Sequence, residues 1–134
     1  MTCRRFIHAR AGVTFLMIAV FAMATAPVAA QMVSYRYDGL YLGAAPPSPG
    51  LSDPACGALP LTQLDIRDGA LRAFDGRFQI VKGIITHDGF FNADYYFPDG
   101  RRAVFEGTVD SDGRLLGGVM ASGCVWIIDL KKVS

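Results

Sequence analysis

Six Asp-Gly dipeptides punctuate this chain of 134 residues: Asp38-Gly39, Asp68-Gly69, Asp75-Gly76, Asp88-Gly89, Asp99-Gly100 and Asp112-Gly113. Asp-Gly favours the left-handed backbone of tight hairpin turns, and with alternating apolar residues on either side it is the strongest short-range hairpin signal. The last three dipeptides lie 11 and 13 residues apart, with β-rich segments between them. That spacing leaves room for one strand and little else. The chain is therefore predicted to be all-β, an antiparallel meander of short strands.

Between the turns the strands can be placed one by one. Tyr35 to Ala44 alternates and is expected as strand one, with Asp38-Gly39 inside it or at its entry, as a bend rather than at a hairpin tip. Residues 45–60 break the pattern. Pro46, Pro47, Pro49, Pro54 and Pro60, with Gly50 and Gly57, can hold neither a ladder strand nor a helix. They are expected to form one long ordered loop, crossing from one side of the fold to the other and tied down by Cys56. Further strands are expected over 61–67, 70–74, 77–87, 90–97, 101–109, 114–121 and 124–132. Eight strands joined by short turns have two stable arrangements, a small up-and-down barrel (closed or flattened) or two packed sheets, and closure removes the exposed edges. One-sided faces support the barrel: Cys124, Trp126, Ile128 and Leu130 on the last strand, Ala103, Phe105, Gly107 and Val109 on the sixth, and Phe91, Ala93, Tyr95 and Phe97 on the fifth.

Residues 1–30 read as a signal peptide that is cleaved. Arg4, Arg5 and Arg10 form a positive start with no acid. Ala11 to Ala24 is an apolar run, Pro27 ends it, and Val28-Ala29-Ala30 offers small residues for cleavage before Gln31. The run is shorter than the ~20 apolar residues of a membrane span, so no stable span is expected after cleavage. Residues 31–134 then form one domain. Loss of three arginines from the 13 Lys and Arg leaves fewer cations than the 12 Asp and Glu. A slightly acidic domain with scattered cations has no electrostatic footprint for nucleic acid. Cys3 leaves with the leader, and an exported protein with two remaining cysteines most simply joins them as Cys56–Cys124. The expected location is the periplasm or the medium.

Catalytic motifs are sparse. His87 stands beside Asp88 at a hairpin tip, with no Gly-x-Ser-x-Gly elbow in the chain, and reads as a solvated turn residue. Asp110-Ser111-Asp112-Gly113 opens like a calcium loop, but position twelve is Ala121 and the hairpin already explains both acids. No zinc-ligand spacing occurs. Asp94 and Glu106 fall on neighbouring strands, where a carboxylate couple could form, although a solvated face is the commoner role. No catalytic residue, metal or cofactor is assigned. The aromatic residues are the stronger lead. Tyr37, Tyr41, Tyr95 and Trp126 could line a pocket for an apolar ligand at a barrel mouth, or serve as core. The adjacent Phe90 and Phe91 must point to opposite faces, so one ring is expected outside. Joined to Tyr96, it would mark a partner surface.

Tyr37-Asp38-Gly39-Leu40-Tyr41-Leu42-Gly43, Cys56, the later Asp-Gly turns and Cys124-Val125-Trp126 together resemble a loose group of small exported proteobacterial β-barrel-like proteins. These have an aromatic-Asp-Gly-x-Tyr-x-Gly opening and one disulfide. The resemblance covers the whole mature chain and implies an architecture; it carries no catalytic residues to transfer. A second similarity, in size, compartment and single disulfide, is to periplasmic eight-stranded inhibitors of secreted metalloproteases. Tyr96-Phe97-Pro98-Asp99-Gly100 with Phe105-Glu106-Gly107 looks like a single MORN repeat, and one copy is not an array.

The function expected from these readings is non-enzymatic: binding of an apolar small molecule, an envelope component or a protein. A protease inhibitor is the alternative and a small hydrolase the second. An inhibitor would block its target with an extended terminus or the 45–60 loop. A hydrolase would gather His87, Asp94 or Glu106 in one cleft.

Overall fold

The computed structural model describes residues 35–134; the expected signal peptide lies outside them. After a 3-10 turn at Tyr35–Tyr37 come eight strands: β1 Gly39–Ala44, β2 Gln63–Arg67, β3 Ala70–Asp75, β4 Phe78–Ile85, β5 Phe90–Tyr96, β6 Arg102–Val109, β7 Arg114–Ala121 and β8 Cys124–Lys132. Each pairs antiparallel with the next, and β1 pairs with β8, so the meander closes into a barrel. The all-β up-and-down barrel expected from the turns is the observed fold.

The turn chemistry places the hairpins. At the β4–β5, β5–β6 and β6–β7 tips the same pair of backbone bonds recurs: Thr86 N–H to Phe90 O, Phe97 N–H to Arg101 O and Asp110 N–H to Arg114 O. Each is accompanied by a bond from the turn glycine, Gly89, Gly100 or Gly113, back to the residue that opens the turn. Those glycines all have positive φ. Asp68-Gly69 and Ser122-Gly123 have both residues at positive φ, as a two-residue type I′ hairpin requires.

Alternation then fills the interior. Tyr41, Leu64, Leu71, Val81, Phe91, Tyr95, Phe105, Val119, Trp126, Ile128 and Leu130 are all buried, and no polar or charged residue among those described is. The predicted inward faces of the fifth, sixth and eighth strands are the inward faces. The interior is tight enough that Gly117 must be glycine: a Cβ there would stand 2.6 Å from the Phe105 ring and 2.9 Å from Phe91.

Two expectations need correction. The first strand starts at Gly39 rather than Tyr35, because the chain turns at Tyr35–Tyr37, where Asp38 N–H bonds to Tyr35 O. Gly39, at φ 151°, opens the strand, and a Cβ there would collide with the Ser134 carbonyl oxygen. The proline-rich segment is also no crossover, since β1 and β2 are neighbours. It runs on from β1 along β8: Ile127 N–H donates to Pro46 O, Ser48 N–H to Val125 O, and Pro47 bridges Trp126. It then folds over one end of the barrel. Cys56 is disulfide-bonded to Cys124, as expected, at a Cα–Cα distance of 5.9 Å.

Candidate functional site

The outer wall of β4, β5 and β6 carries an apolar groove, and the period of two puts it there. Phe91 points inward and is 4% exposed, so Phe90 points outward and is 61% exposed. Register sets its neighbours: Phe90 faces Thr108 on β6, which faces Leu116 on β7, while Ile84 on β4 faces Asn92 on β5. Ile84, Phe90 and Leu116 are all exposed. The groove, about 480 Å³, is lined by Ile84, Thr86, Phe90, Phe91, Asn92, Glu106, Gly107 and Thr108. That volume lies within the ~300–1,000 Å³ range of small-ligand pockets. Tyr96 does not join the patch, because it sits six residues from Phe90 along β5, at the Arg102 end of the strand. Ile84 takes that place, and only register reveals it.

Of the two roles open to the four aromatics, pocket lining or core, they take the core. Tyr41, Tyr95, Tyr37 and Trp126 are all buried in the core. Tyr41 Oη donates to Tyr37 O at 2.7 Å, Tyr37 Oη to the His87 carbonyl at 3.1 Å, and Trp126 Nε1 to Gly57 O at 2.7 Å. Burial pushes the Tyr41 hydroxyl up to about 12, with Asp38 adding to the effect, and burial with Asp75 does the same to Tyr95. Beside Tyr37 and Tyr41 the surface opens only as a dimple of about 130 Å³. Tyr95, Phe97 and Trp126 form a chain of ring contacts at 4.9 and 5.9 Å, and the Arg101 guanidinium lies over Phe97. The 45–60 loop covers this end, held by the disulfide, by Ser52 on Val125, and by Asp53 N–H on Gly123 O.

Acidic residues do not assemble into a centre. His87 is exposed at the β4–β5 tip, 3.0 Å from Asp88. Asp94 faces Val104 rather than Glu106, and its carboxylate lies 3.7 Å from Arg102. Glu106 faces Asn92, and the groove it lines includes neither His87 nor Asp94. Asp110 Oδ1 accepts the Asp112 and Arg114 N–H groups, as a turn acid does. Among the described residues no group of His, Cys, Asp or Glu is placed to hold a metal ion. A broader trough of about 860 Å³ crosses β1 to β3. Its acids are engaged, Asp38 with the Asp68-Gly69 turn and Asp65 with Arg67 at 3.7 Å.

No helix among the described residues is long and apolar enough to cross a membrane. Comparison with protein-family models, curated proteins and solved structures finds no match.

Proposed function

We propose that this protein is an exported, non-enzymatic interaction module that holds its partner on the outer wall of the barrel, at the Phe90 groove. One observation carries the reading: with the interior occupied by core side chains, the most exposed phenylalanine among the described residues is Phe90, and it lies inside a groove. Leaving such a ring in water forgoes about 1.5–3 kcal/mol of burial. Single exposed apolar residues are ordinary, but Ile84 and Phe90 line one groove, with Leu116 exposed on the far side of Thr108, and grouped apolar surface marks an interaction site. A disulfide-bonded small barrel fits an export compartment, and the leader-like residues 1–30 point to the periplasm or the medium. Tyr37, Tyr41, Tyr95 and Trp126 enter this reading as core behind the wall rather than as its binding surface.

The substitution Phe90→Asp tests it. The side chain is exposed, so stability should change by no more than about 0.5 kcal/mol. Native mass spectrometry of protein purified from its own compartment should show a bound species on the wild type and none on the variant. A bound species that survives Phe90→Asp unchanged would overturn the assignment of the groove.

A further inference from the structure

The groove contains one carboxylate with no counter-charge. Glu106 is exposed, faces Asn92 on β5 and Gly118 on β7, and has Val104 and Thr108 on either side along β6. Its diagonal neighbours are Phe90 and Asp94 on one strand and Leu116 and Met120 on the other. None of these eight is a cation. The nearest cation on its own strand, Arg102, is turned to Asp94 at 3.7 Å, and Lys82 stands on β4, opposite Asp94. The Glu106 carboxylate makes no hydrogen bond or ion pair with any described residue. The neighbouring carboxylates have found partners, Asp94 in Arg102 and Asp129 in Arg114 at 2.9 Å. The Glu106 carboxylate thus stands among Phe90, Val104, Leu116 and Met120 without the opposite charge that a stabilising cross-strand pair would supply.

Resting on the proposed role of the Phe90 groove, the geometry points to a protein partner that inserts a basic side chain, lysine or arginine, flanked by apolar residues. The cation meets Glu106, with the Asn92 side-chain amide beside it. The flanking groups cover Phe90, Ile84 and the Thr108 methyl. A second copy of this chain fits poorly, because a two-fold axis through the groove sets Glu106 against its own twin. Exposed ion pairs contribute about 0.2–1 kcal/mol, so charge supplies selectivity while the rings supply most of the contact.

The test uses amide NMR titration of the mature protein with two blocked peptides, leucyl-lysyl-leucine amide and its norleucine analogue. The lysine peptide should shift the Asn92, Glu106 and Thr108 amides and bind about threefold to fivefold more tightly than the norleucine peptide. Glu106→Gln should abolish that preference, and so should raised salt. Equal binding of both peptides, lost in Phe90→Asp but indifferent to Glu106→Gln, overturns the basic-partner inference and leaves the groove assignment standing. Absence of shifts at these amides with either peptide at millimolar concentration overturns both.

Discussion

Asp38 holds a turn that is thirty residues away in sequence. Its two carboxylate oxygens accept the Asp68 N–H at 2.8 Å and the Gly69 N–H at 3.1 Å. The Asp-Gly pair that begins β1 thus stabilises the Asp-Gly pair that joins β2 to β3. Gly39 follows at φ 151°, and the next residue, Leu40, donates its N–H to Ser134 O and accepts from Val133 N–H. Asp38→Ala should lower stability by about 1–2 kcal/mol, because two turn N–H groups lose a charged acceptor. Asp38→Asn, which keeps one oxygen, should lose less. Urea denaturation reads both: the midpoint should fall with the slope unchanged. An unchanged midpoint in Asp38→Ala would show that water replaces the carboxylate fully. At this scale the sequence was legible in one respect only. It marked Asp38-Gly39 as a bend because glycine within an alternating segment marks one, but it could not name the turn that the side chain reaches.

The 45–60 segment is the element that sequence reasoning placed least well. Its prolines correctly excluded a ladder strand, and the compartment argument correctly joined Cys56 to Cys124. What local chemistry could not supply was the seat of the segment beside β8, where Pro46 to Ser48 continue the line of β1. That seat depends on the β1–β8 closure, a contact between the two ends of the domain. The disulfide spans 68 residues, and a loop of that size corresponds to about 4 kcal/mol in the chain-entropy model. The paired substitution Cys56→Ser with Cys124→Ser should therefore cost about 2–5 kcal/mol. Trp126 is the chain's single tryptophan, and its Nε1–H is held by Gly57 of the same segment. Its fluorescence should shift to the red in the cysteine variant, as the loop loosens before the barrel opens. Unchanged emission and an unchanged denaturation midpoint would mean that the segment is held by its backbone bonds alone.

For the molecule as a whole, closure buries side chains that titrate, and stability follows their protons. Tyr41 and Tyr95 are held near 12, against an ordinary value of 10.0. Between those values the unfolded chain releases both protons while the folded barrel keeps them. Their contribution is complete below pH 10.0 and is lost as pH rises toward 12. Ultraviolet absorbance at alkaline pH, followed beside circular dichroism, should show two of the five tyrosines ionising only as the fold is lost. Free ionisation of all five near pH 10.0, with dichroism intact, would contradict the burial of these two. The same closure separates what each level of description can determine. Turn positions, the inward faces of β5, β6 and β8 and the identity of the bonded cysteines were written in the sequence, because hairpin geometry, period-two alternation and redox compartment act on near neighbours or on composition. The groove around Phe90 and the isolation of Glu106 were not. They depend on which residues stand side by side across strands, and register, set by the extra residue Ile80 in β4 opposite Ala73 and Phe74, the hairpin turns and the closing β1–β8 pair together, is decided only when the whole barrel is assembled.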